Sequence, residues 1–190
     1  NSLISLHKKH DGIDFGVDDE LDMKLTKIRE QYFDTHSMDG KTQLRKNYYS
    51  LTEKTKTIQI DKRTRQLSTY DPFAFSDPAE FFDSAIMLGV SEFDIVIGNP
   101  PYLGEKNHKD IFAPLKEGEL FQRFYQQRAD LFYYFFHLGI DLLKLGGSLA
   151  YITTNYFPTA TFATNLRNDL AGRTRYLNIV NFQEAKIFES

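Results

Sequence analysis

The sequence predicts an α/β fold in which a helical hairpin precedes a mostly parallel sheet. Two observations predict it. Residues 19–58 repeat apolar side chains at helical spacing. From residue 92 onward, short apolar runs alternate with amphipathic stretches, as in sheets whose parallel strands are joined by helices. The chain has 190 residues, which is long enough to bury a core.

The N-terminal part is predicted to form two helices. Their stripes of apolar residues run through Leu21, Leu25, Ile28 and Tyr32 in residues 19–33, and through Leu44, Tyr48, Leu51 and Ile58 in residues 41–58. Asp39-Gly40 between them is a turn signal. We expect an irregular linker over residues 62–68. A further helix is expected to begin at Asp77-Pro78-Ala79-Glu80, where an N-cap residue precedes Pro.

The first predicted strand is Ile95-Val96-Ile97, a continuous apolar run that is typical of a strand covered on both faces. Residues 104–119 are polar and predict a surface loop. A helix is expected over residues 130–145 and is stopped by Gly146-Gly147. Its inward side chains are predicted to be Leu131, Phe135, Leu138 and Leu142.

Two more strands are predicted, over residues 148–154 and 176–182. Between them, Thr161 can cap a helix that ends at Gly172. The apolar face of that helix is predicted to carry Phe162, Leu166 and Leu170.

Composition excludes several classes of protein. The chain has no Cys, which rules out disulfides and thiol catalysis and is compatible with the cytoplasm. Its five His are scattered without the spacing of metal ligands, so we expect no metal site. No apolar stretch reaches membrane-spanning length, so no membrane association is expected. The net charge is −3, but residues 41–65 hold eight basic and two acidic side chains, a local charge of +6 that could follow phosphates or simply be a solvated face.

The most informative run is Asn99-Pro100-Pro101-Tyr102, which directly follows the first predicted strand. Ligands of open α/β sheets bind beyond the carboxyl ends of the strands. The prolines stiffen the turn, so that the Asn99 side-chain oxygen and the Pro100 carbonyl can act as two fixed acceptors. An exocyclic amino group offers two matching N–H donors, and Tyr102 offers a ring on which a base can stack.

Two plainer interpretations of this run exist. A strand can simply end at Pro-Pro, and a Pro-Pro pair can belong to a polyproline ligand. The apolar strand in front argues against an exposed peptide. The order strand, Asn, Pro, Pro and aromatic favours a binding turn for an amino group.

Asn99-Pro100-Pro101-Tyr102 resembles the Asn/Asp-Pro-Pro-aromatic signature of amino-group methyltransferases, best known in DNA adenine-N6 methylases. Other segments agree with that family in their order, and the N-terminal helical part looks like that of type IIG restriction–methylation enzymes. These segments are Glu30-Gln31-Tyr32-Phe33, Ala129-Asp130-Leu131-Phe132, Leu142-Leu143-Lys144-Leu145-Gly146-Gly147, Ala150-Tyr151-Ile152-Thr153-Thr154-Asn155, Leu166-Arg167, Ile179-Val180-Asn181-Phe182 and Ile187-Phe188.

The resemblance implies the C-terminal part of a Rossmann-like, doubly wound methyltransferase sheet. It implies that Asn99 and Pro100 bind the N6 amino group of a flipped adenine in double-stranded DNA, that Tyr102 stacks on that base, and that S-adenosylmethionine is the methyl donor. Asn1-Ser2-Leu3-Ile4 resembles a segment that touches the cofactor's adenine, which makes Asn1 a candidate cofactor contact.

The Gly-rich turn and the acidic residue that hold the cofactor in this family are not recognisable here, and the family order places both upstream of Asn1. We therefore expect the isolated chain to be inactive and to bind the cofactor weakly or not at all. The expected divisions are residues 1–18 (the end of the N-terminal methyltransferase half), 19–68 (the helical insert and linker) and 69–190 (the target-base half). Missing strands would expose an edge of the Ile95 strand and favour self-association.

Several further residues are candidates for contact with DNA because they lie in loops beside the motif or at the same end of the sheet: Lys106, His108, Lys109, Asn155 and Tyr156. Asp130 is interpreted as a helix-start residue rather than a catalytic one. Two rival functions remain open. One is methylation of a glutamine amide or an RNA base, and the other is a non-catalytic DNA-binding or assembly module.

Overall fold

A computed structural model gives the structure of the chain and describes residues 3–6, 17–55, 62–74 and 77–183. The chain divides into two compact units, Asn1–Glu92 and Phe93–Ser190. The functional division predicted at residues 18 and 68 stays a prediction.

The first unit contains the predicted helical hairpin, formed by α1 (Val17–Asp34) and α2 (Met38–Thr55). Phe73 packs onto this pair, and its ring centroid lies 4.4 Å from that of Tyr32 and 5.4 Å from that of Tyr48. The Tyr48 hydroxyl donates to the Tyr70 carbonyl at 2.9 Å. Both predicted apolar stripes contribute to this core, whose half-buried members are Leu21, Ile28, Tyr32 and Leu51. Ile58 lies outside the described residues.

The predicted turn at Asp39-Gly40 is wrong, because both residues belong to the first turn of α2. The hairpin turns instead at residues 35–37. Ser37 caps the helix, since its Oγ accepts the N–H of Gly40 at 3.0 Å. Asp39 then carries a negative charge where the helix dipole favours one.

The predicted linker over residues 62–68 is also wrong, because α3 (Lys62–Thr69) forms there. Its Leu67 is buried in a second cluster with Leu6 and Phe81, so tertiary packing stabilises this short and mostly polar helix.

The helix predicted to begin at Asp77 begins later, as α4 (Ser84–Leu88). Asp83 rather than Asp77 is its N-cap, and the Asp83 Oδ1 accepts the N–H of Ile86 at 2.9 Å. Just before that cap, the N–H of Phe82 donates to the Ile4 carbonyl at 2.7 Å. The backbone of Phe82 is thus engaged in an isolated parallel bridge that joins Ser5 to Phe82.

The second unit is a mixed α/β structure with a parallel pair of strands, β1 (Phe93–Gly98) and β2 (Leu143–Tyr151). The connection between them contains α5 (Lys109–Phe112), a 3-10 turn (Ala113–Leu115), α6 (Glu119–Phe124) and α7 (Leu131–Asp141). A second 3-10 turn (Thr161–Ala163) and α8 (Thr164–Arg173) follow β2.

The first two predicted strands and the parallel direction of the sheet are therefore confirmed, although β2 begins at Leu143 rather than at 148 and ends at Tyr151 rather than at 154. The surface loop expected over residues 104–119 holds a helix and a 3-10 turn instead, because Phe112 and Leu115 are buried and anchor it to the core.

Gly146-Gly147 does not stop α7, contrary to the prediction, but lies within β2. The helix ends at Asp141 because the next carbonyl, that of Leu142, accepts the N–H of Phe93 at 2.8 Å and begins the pairing with β1. The register then shifts between Phe93 and Ile95 of β1, which leaves extra residues of β2 in a bulge. Gly146 has a φ of 83° there, a conformation that glycine adopts at little cost.

α7 is buried on more than one face, so the predicted inward set is only partly right. Leu131 is buried as predicted, whereas Phe135, Leu138 and Leu142 are only half-buried. Other fully packed side chains of this helix are Phe132, Tyr133, Tyr134 and His137. The reason is that α7 packs against β2 as well as against α6 and α8, which a single apolar stripe does not indicate.

His137 joins α7 to α8. Its Nδ1 lies 2.6 Å from Asp169 Oδ2, and the Phe124 ring stacks on the imidazole at 3.8 Å. Burial lowers the pKa of His137 below its ordinary value, although Asp169 opposes this. Arg173 extends the network by pairing with both Asp169 and Asp141. The neutral imidazole is therefore a buried structural link rather than a solvent-exposed base.

Gly139 allows the close approach of α7 to β2. A Cβ at this position would lie 2.6 Å from the Tyr151 hydroxyl oxygen and 2.7 Å from Leu149 Cδ1. The tyrosine cannot move freely, since its hydroxyl donates to the Phe135 carbonyl at 3.1 Å. We expect Gly139→Ala to lower the free energy of unfolding of the chain by about 1–3 kcal/mol in urea titrations.

The matched control is Gly172→Ala, which makes the same exchange in α8, where no atom lies within 4 Å of the added carbon. Helix propensity predicts that this control raises the free energy of unfolding by about 0.5–1 kcal/mol. Equal shifts for the two variants would contradict the close packing of α7 on β2.

The expectation that β1 is covered on both faces is wrong for the described structure. Ile95 is 65% and Ile97 is 75% exposed, so the described residues do not cover the face of β1 that carries both side chains; β2 is also the sole strand paired with β1 among the described residues. The predicted third strand is also not formed: residues 176–182 have no regular secondary structure. Its apolar side chains are exposed, namely Tyr176, Leu177, Ile179, Val180 and Phe182. Within the described ranges, no helix has the length and apolar character to cross a membrane.

Candidate active site at the carboxyl end of the strands

The Asn-Pro-Pro-Tyr turn (residues 99–102) begins directly after β1, as predicted. The N–H of Ile152 donates to the Gly98 carbonyl at 3.1 Å, which continues the strand pairing to the last residue of β1. The residues that follow β1 and β2 therefore leave the sheet at the same end, the carboxyl end of both strands. In the turn, Pro100 is buried and Asn99 is exposed, so the asparagine amide is accessible to a ligand while its neighbour is fixed.

Tyr102 links this turn to the end of β2 through its hydroxyl group. Its oxygen lies 2.5 Å from Asn99 Oδ1 and 2.9 Å from the Ile152 carbonyl oxygen. A phenol has one proton, so it donates to one of these acceptors at a time. Burial raises the pKa of Tyr102, and the phenol is therefore neutral at physiological pH.

The ring of Tyr102 is held from the side. Phe132, which is buried in α7, meets it edge to face with ring centroids 6.0 Å apart and an interplanar angle of 89°. Tyr102 is 42% exposed, so part of the ring still faces solvent. This geometry gives an aromatic platform with a fixed orientation.

The segment that follows the turn is joined to the start of α7 by backbone hydrogen bonds. The N–H of Leu131 donates to the Leu103 carbonyl at 2.8 Å, and the N–H of Glu105 donates to the Ala129 carbonyl at 3.1 Å. Gly104 and Asp130 form the bridge between these contacts. The turn is therefore anchored on both sides, by β1 before it and by residues 129–131 after it.

Glu105 is a buried carboxylate beside the turn that sequence reasoning missed. Its Oε2 accepts the N–H of Arg128 at 2.7 Å, and its Oε1 accepts from the Tyr125 hydroxyl at 3.2 Å. Lys116 Nζ lies 3.5 Å from the same Oε1. Glu105 thus positions residues 125–128 against the loop that carries the motif. Nothing in a single sequence distinguishes it from the exposed charges around it.

Asp130 lies at the start of α7, as predicted, but its side chain does not cap the helix. Its Oδ2 accepts instead from the Tyr156 hydroxyl at 2.5 Å. Burial and the contact with Asp130 raise the pKa of Tyr156 to about 12. The Tyr156 ring also meets Phe132 edge to face at 6.1 Å, which places the loop after β2 next to the ring that holds Tyr102.

Comparison with known proteins decides the family. A family model described as Eco57I restriction-modification methylase matches residues 5–188, nearly the whole chain. The chain belongs to the Eco57I restriction-modification methylase family. The resemblance to restriction–modification DNA methylases is thereby confirmed.

Curated relatives agree with the Eco57I-family assignment. The chain is 34% identical over 98 residues to the Type II methyltransferase M.HincII of Haemophilus influenzae, covering 51% of this chain and 20% of that protein. The match to M.HindII of Haemophilus influenzae strain Rd is also 34% over 98 residues, covering 51% of this chain and 19% of that protein. The Type II restriction enzyme and methyltransferase RM.Eco57I of Escherichia coli is 28% identical over 102 residues, which cover 52% of this chain and 10% of that protein. The aligned part thus spans about a fifth or less of these relatives.

Four of the predicted DNA-contact residues of this Eco57I-family chain lie in two loops of the second unit, and the fifth, Lys109, is the first residue of α5. Lys106 and Lys109 are exposed in the segment after Glu105, and His108 is half-buried just before α5. Asn155 is exposed in the loop after β2, next to Tyr156. Asn1, the candidate cofactor contact, lies outside the described residues. Contact of any of these residues with a ligand stays a prediction.

The described part of the second unit does not fit S-adenosylmethionine. Its only glycine with a positive φ is Gly146, which lies in the bulge of β2 and not in a turn at the carboxyl edge. The two carboxylates beside the motif are already engaged, Glu105 by Arg128 and Tyr125, and Asp130 by Tyr156. Both carboxylates therefore serve contacts within the protein. Among the described residues, no group of His, Asp and Glu side chains could hold a metal ion.

Proposed function

We propose that the protein containing this chain methylates the N6 amino group of adenine in double-stranded DNA, within a restriction–modification or phage-defence system. The observation that carries this proposal is the position of Asn99 and Pro100 at the carboxyl end of β1, in a chain of the Eco57I family. S-adenosylmethionine is the proposed methyl donor. Most of its binding site is proposed to lie outside this chain, in the part that completes a Rossmann-like, doubly wound sheet.

The proposed role of the turn is to hold and activate the amino group. Asn99 Oδ1 and the Pro100 carbonyl oxygen each accept one N–H of the exocyclic amine. The amine's lone pair is delocalised into the ring, which makes it a poor nucleophile. Two accepted hydrogen bonds shift electron density back to the nitrogen and stabilise the positive charge that grows on it as it bonds to the methyl group. The bond between that methyl group and the donor's sulfonium sulfur would break with its electron pair staying on sulfur, and the nitrogen would then lose one N–H proton to solvent.

Tyr102 has two proposed roles in this reaction. When its hydroxyl donates to the Ile152 carbonyl, the Asn99 oxygen is free to accept from the substrate. Its exposed ring face would stack on the flipped adenine, a contact typically worth about 1–3 kcal/mol. Flipping is required because a duplex hides the amino nitrogen from any pocket.

Radiolabelled methyl transfer by the full-length protein tests the proposal. The protein is incubated with labelled S-adenosylmethionine and duplex DNA, RNA or protein, and the DNA is digested to nucleosides. We expect the label in N6-methyladenine. Label confined to RNA or to glutamine would support the rival enzymes, and no label in any fraction would support a non-catalytic module. Family membership favours DNA among these.

We also propose that the isolated chain associates with itself through the edge of β1 that is unpaired among the described residues. The exposed Ile95 and Ile97 side chains lie on that strand, and an uncovered apolar strand is a template for pairing. We expect sedimentation velocity to show dimers or larger species, and Ile97→Lys to reduce them. The control is Leu88→Lys, which changes an exposed apolar residue in a helix of the first unit. Equal effects of the two substitutions would contradict the strand edge as the interface.

A further inference from the structure

Arg128 has a backbone conformation that its surroundings impose. Its φ is 61°, in the left-handed region that residues with a side chain rarely adopt. The buried Glu105 holds it there by accepting the Arg128 N–H at 2.7 Å. The adjacent Ala129 carbonyl accepts from the N–H of Glu105. A strained residue fixed beside the motif turn indicates a functional position.

The guanidinium of Arg128 lies over the ring of Phe162, 5.4 Å from its centroid. Phe162 is itself exposed, in the 3-10 turn after β2. Gln126 joins the two segments, because its Nε2 donates to the Thr161 carbonyl at 3.2 Å. Arg128 is exposed, so its guanidinium contacts Phe162 on one side and is accessible to solvent.

The charge of Arg128 is not neutralised within the described structure, since no Asp or Glu there forms an ion pair with it. Arg123 offers the contrast. It also lies over an aromatic ring, that of Phe124 at 4.7 Å, but it pairs with Asp141 at 2.9 Å. A stacked arginine without a carboxylate is prepared to bind an anion from outside.

We propose that Arg128, supported by Phe162, binds a phosphodiester group of the DNA backbone next to the target base. The planar guanidinium offers two parallel N–H donors that match two phosphate oxygens, and stacking on Phe162 reduces the freedom lost on binding. Residues 129–131 are hydrogen-bonded to residues 103–105, so the phosphate site lies beside the turn that would receive the base. The inference rests on the proposed function, since it takes DNA as the substrate.

The test measures binding of the full-length protein to a fluorescent duplex by anisotropy over a range of salt concentrations. We expect Arg128→Gln to weaken DNA binding by about tenfold at low salt. It should also reduce the slope of the logarithm of the binding constant against the logarithm of the salt concentration by about 0.9. Phe162→Ala is expected to weaken binding less and to leave the slope unchanged, because the charge remains. Arg123→Gln is the control and should change neither quantity.

The outcomes separate this inference from the proposed function. If the wild type binds and methylates DNA while Arg128→Gln behaves like Arg123→Gln, the phosphate site is wrong and the function stands. A loss confined to one DNA sequence with an unchanged salt slope would assign Arg128 to a base edge and also overturn it. A wild-type protein that neither binds nor methylates DNA would overturn the proposed function itself. Circular dichroism of each variant establishes that it is folded.

Discussion

Asn99→Ala is expected to lower the rate of methyl transfer by the full-length protein by about 10²–10³-fold, the usual effect of removing one preorganised polar group that stabilises a transition state. The variant removes one of the two acceptors proposed for the amino group and leaves the Pro100 carbonyl. Asn99 is exposed, and among the described residues its side chain forms a hydrogen bond only with the Tyr102 hydroxyl. In the variant, that hydroxyl can still donate to the Ile152 carbonyl. The free energy of unfolding should therefore change by less than about 0.5 kcal/mol.

Single-turnover methylation with saturating DNA and cofactor measures this effect, because it separates the chemical step from binding. Asn99→Asp supplies a second comparison, since a carboxylate still accepts hydrogen bonds and should retain more activity than alanine. Asn168→Ala, an exposed asparagine of α8, is the matched control and should be as active as the wild type. Full activity of Asn99→Ala would overturn the proposed mechanism.

The parts of the fold that were predictable are those in which the local pattern and the tertiary environment agree. The hairpin helices α1 and α2 have apolar residues at helical spacing and β1 has a continuous apolar run, and all three elements form. The Asn-Pro-Pro-Tyr turn was predictable for a different reason. Its prolines fix the local backbone, so that the position of Asn99 after β1 depends little on distant residues.

The errors in the predicted secondary structure arise where contacts with residues distant in the sequence determine the local conformation. Gly146-Gly147 is a good helix stop by local rules, but pairing of Leu142 and Leu143 with Phe93 converts the segment to a bulged strand. Residues 176–182 have the composition of a strand and yet no partner in the described structure. A strand needs a neighbour to supply its hydrogen bonds, which no local pattern specifies.

The same limit applies to the candidate site. Asn99, Pro100 and Tyr102 are adjacent in sequence and were predictable together. Glu105 acts through residues some twenty positions away, and the Tyr102 hydroxyl reaches a carbonyl fifty positions away. Sequence reasoning assigned Tyr102 only a stacking face. Its hydroxyl contacts depend on the pairing of β1 with β2, which sets the distance between Asn99 and Ile152.

Glu105→Ala is expected to lower the free energy of unfolding by about 2–4 kcal/mol, because a buried carboxylate with several hydrogen-bond donors is removed. The N–H of Arg128 and the Tyr125 hydroxyl lose their acceptor, and nothing then offsets the left-handed backbone of Arg128. Urea titration of the chain measures the loss. Asp110→Ala, an exposed acidic residue of α5, is the control and should cost less than about 0.5 kcal/mol.

The activity of the same variant distinguishes a positioning role from a purely structural one. The full-length Glu105→Ala variant is assayed well below its melting temperature, so that it is folded. If Glu105 fixes the segment after the Asn-Pro-Pro-Tyr turn, this variant should transfer methyl groups at least about tenfold more slowly than the wild type. The reason is that misplacing a reacting group by about 1 Å lowers the rate strongly. Glu105→Gln preserves the shape of the side chain and one acceptor oxygen, so its activity should lie between that of Glu105→Ala and that of the wild type. A folded Glu105→Ala protein with wild-type activity would show that the buried carboxylate stabilises the fold without positioning the turn.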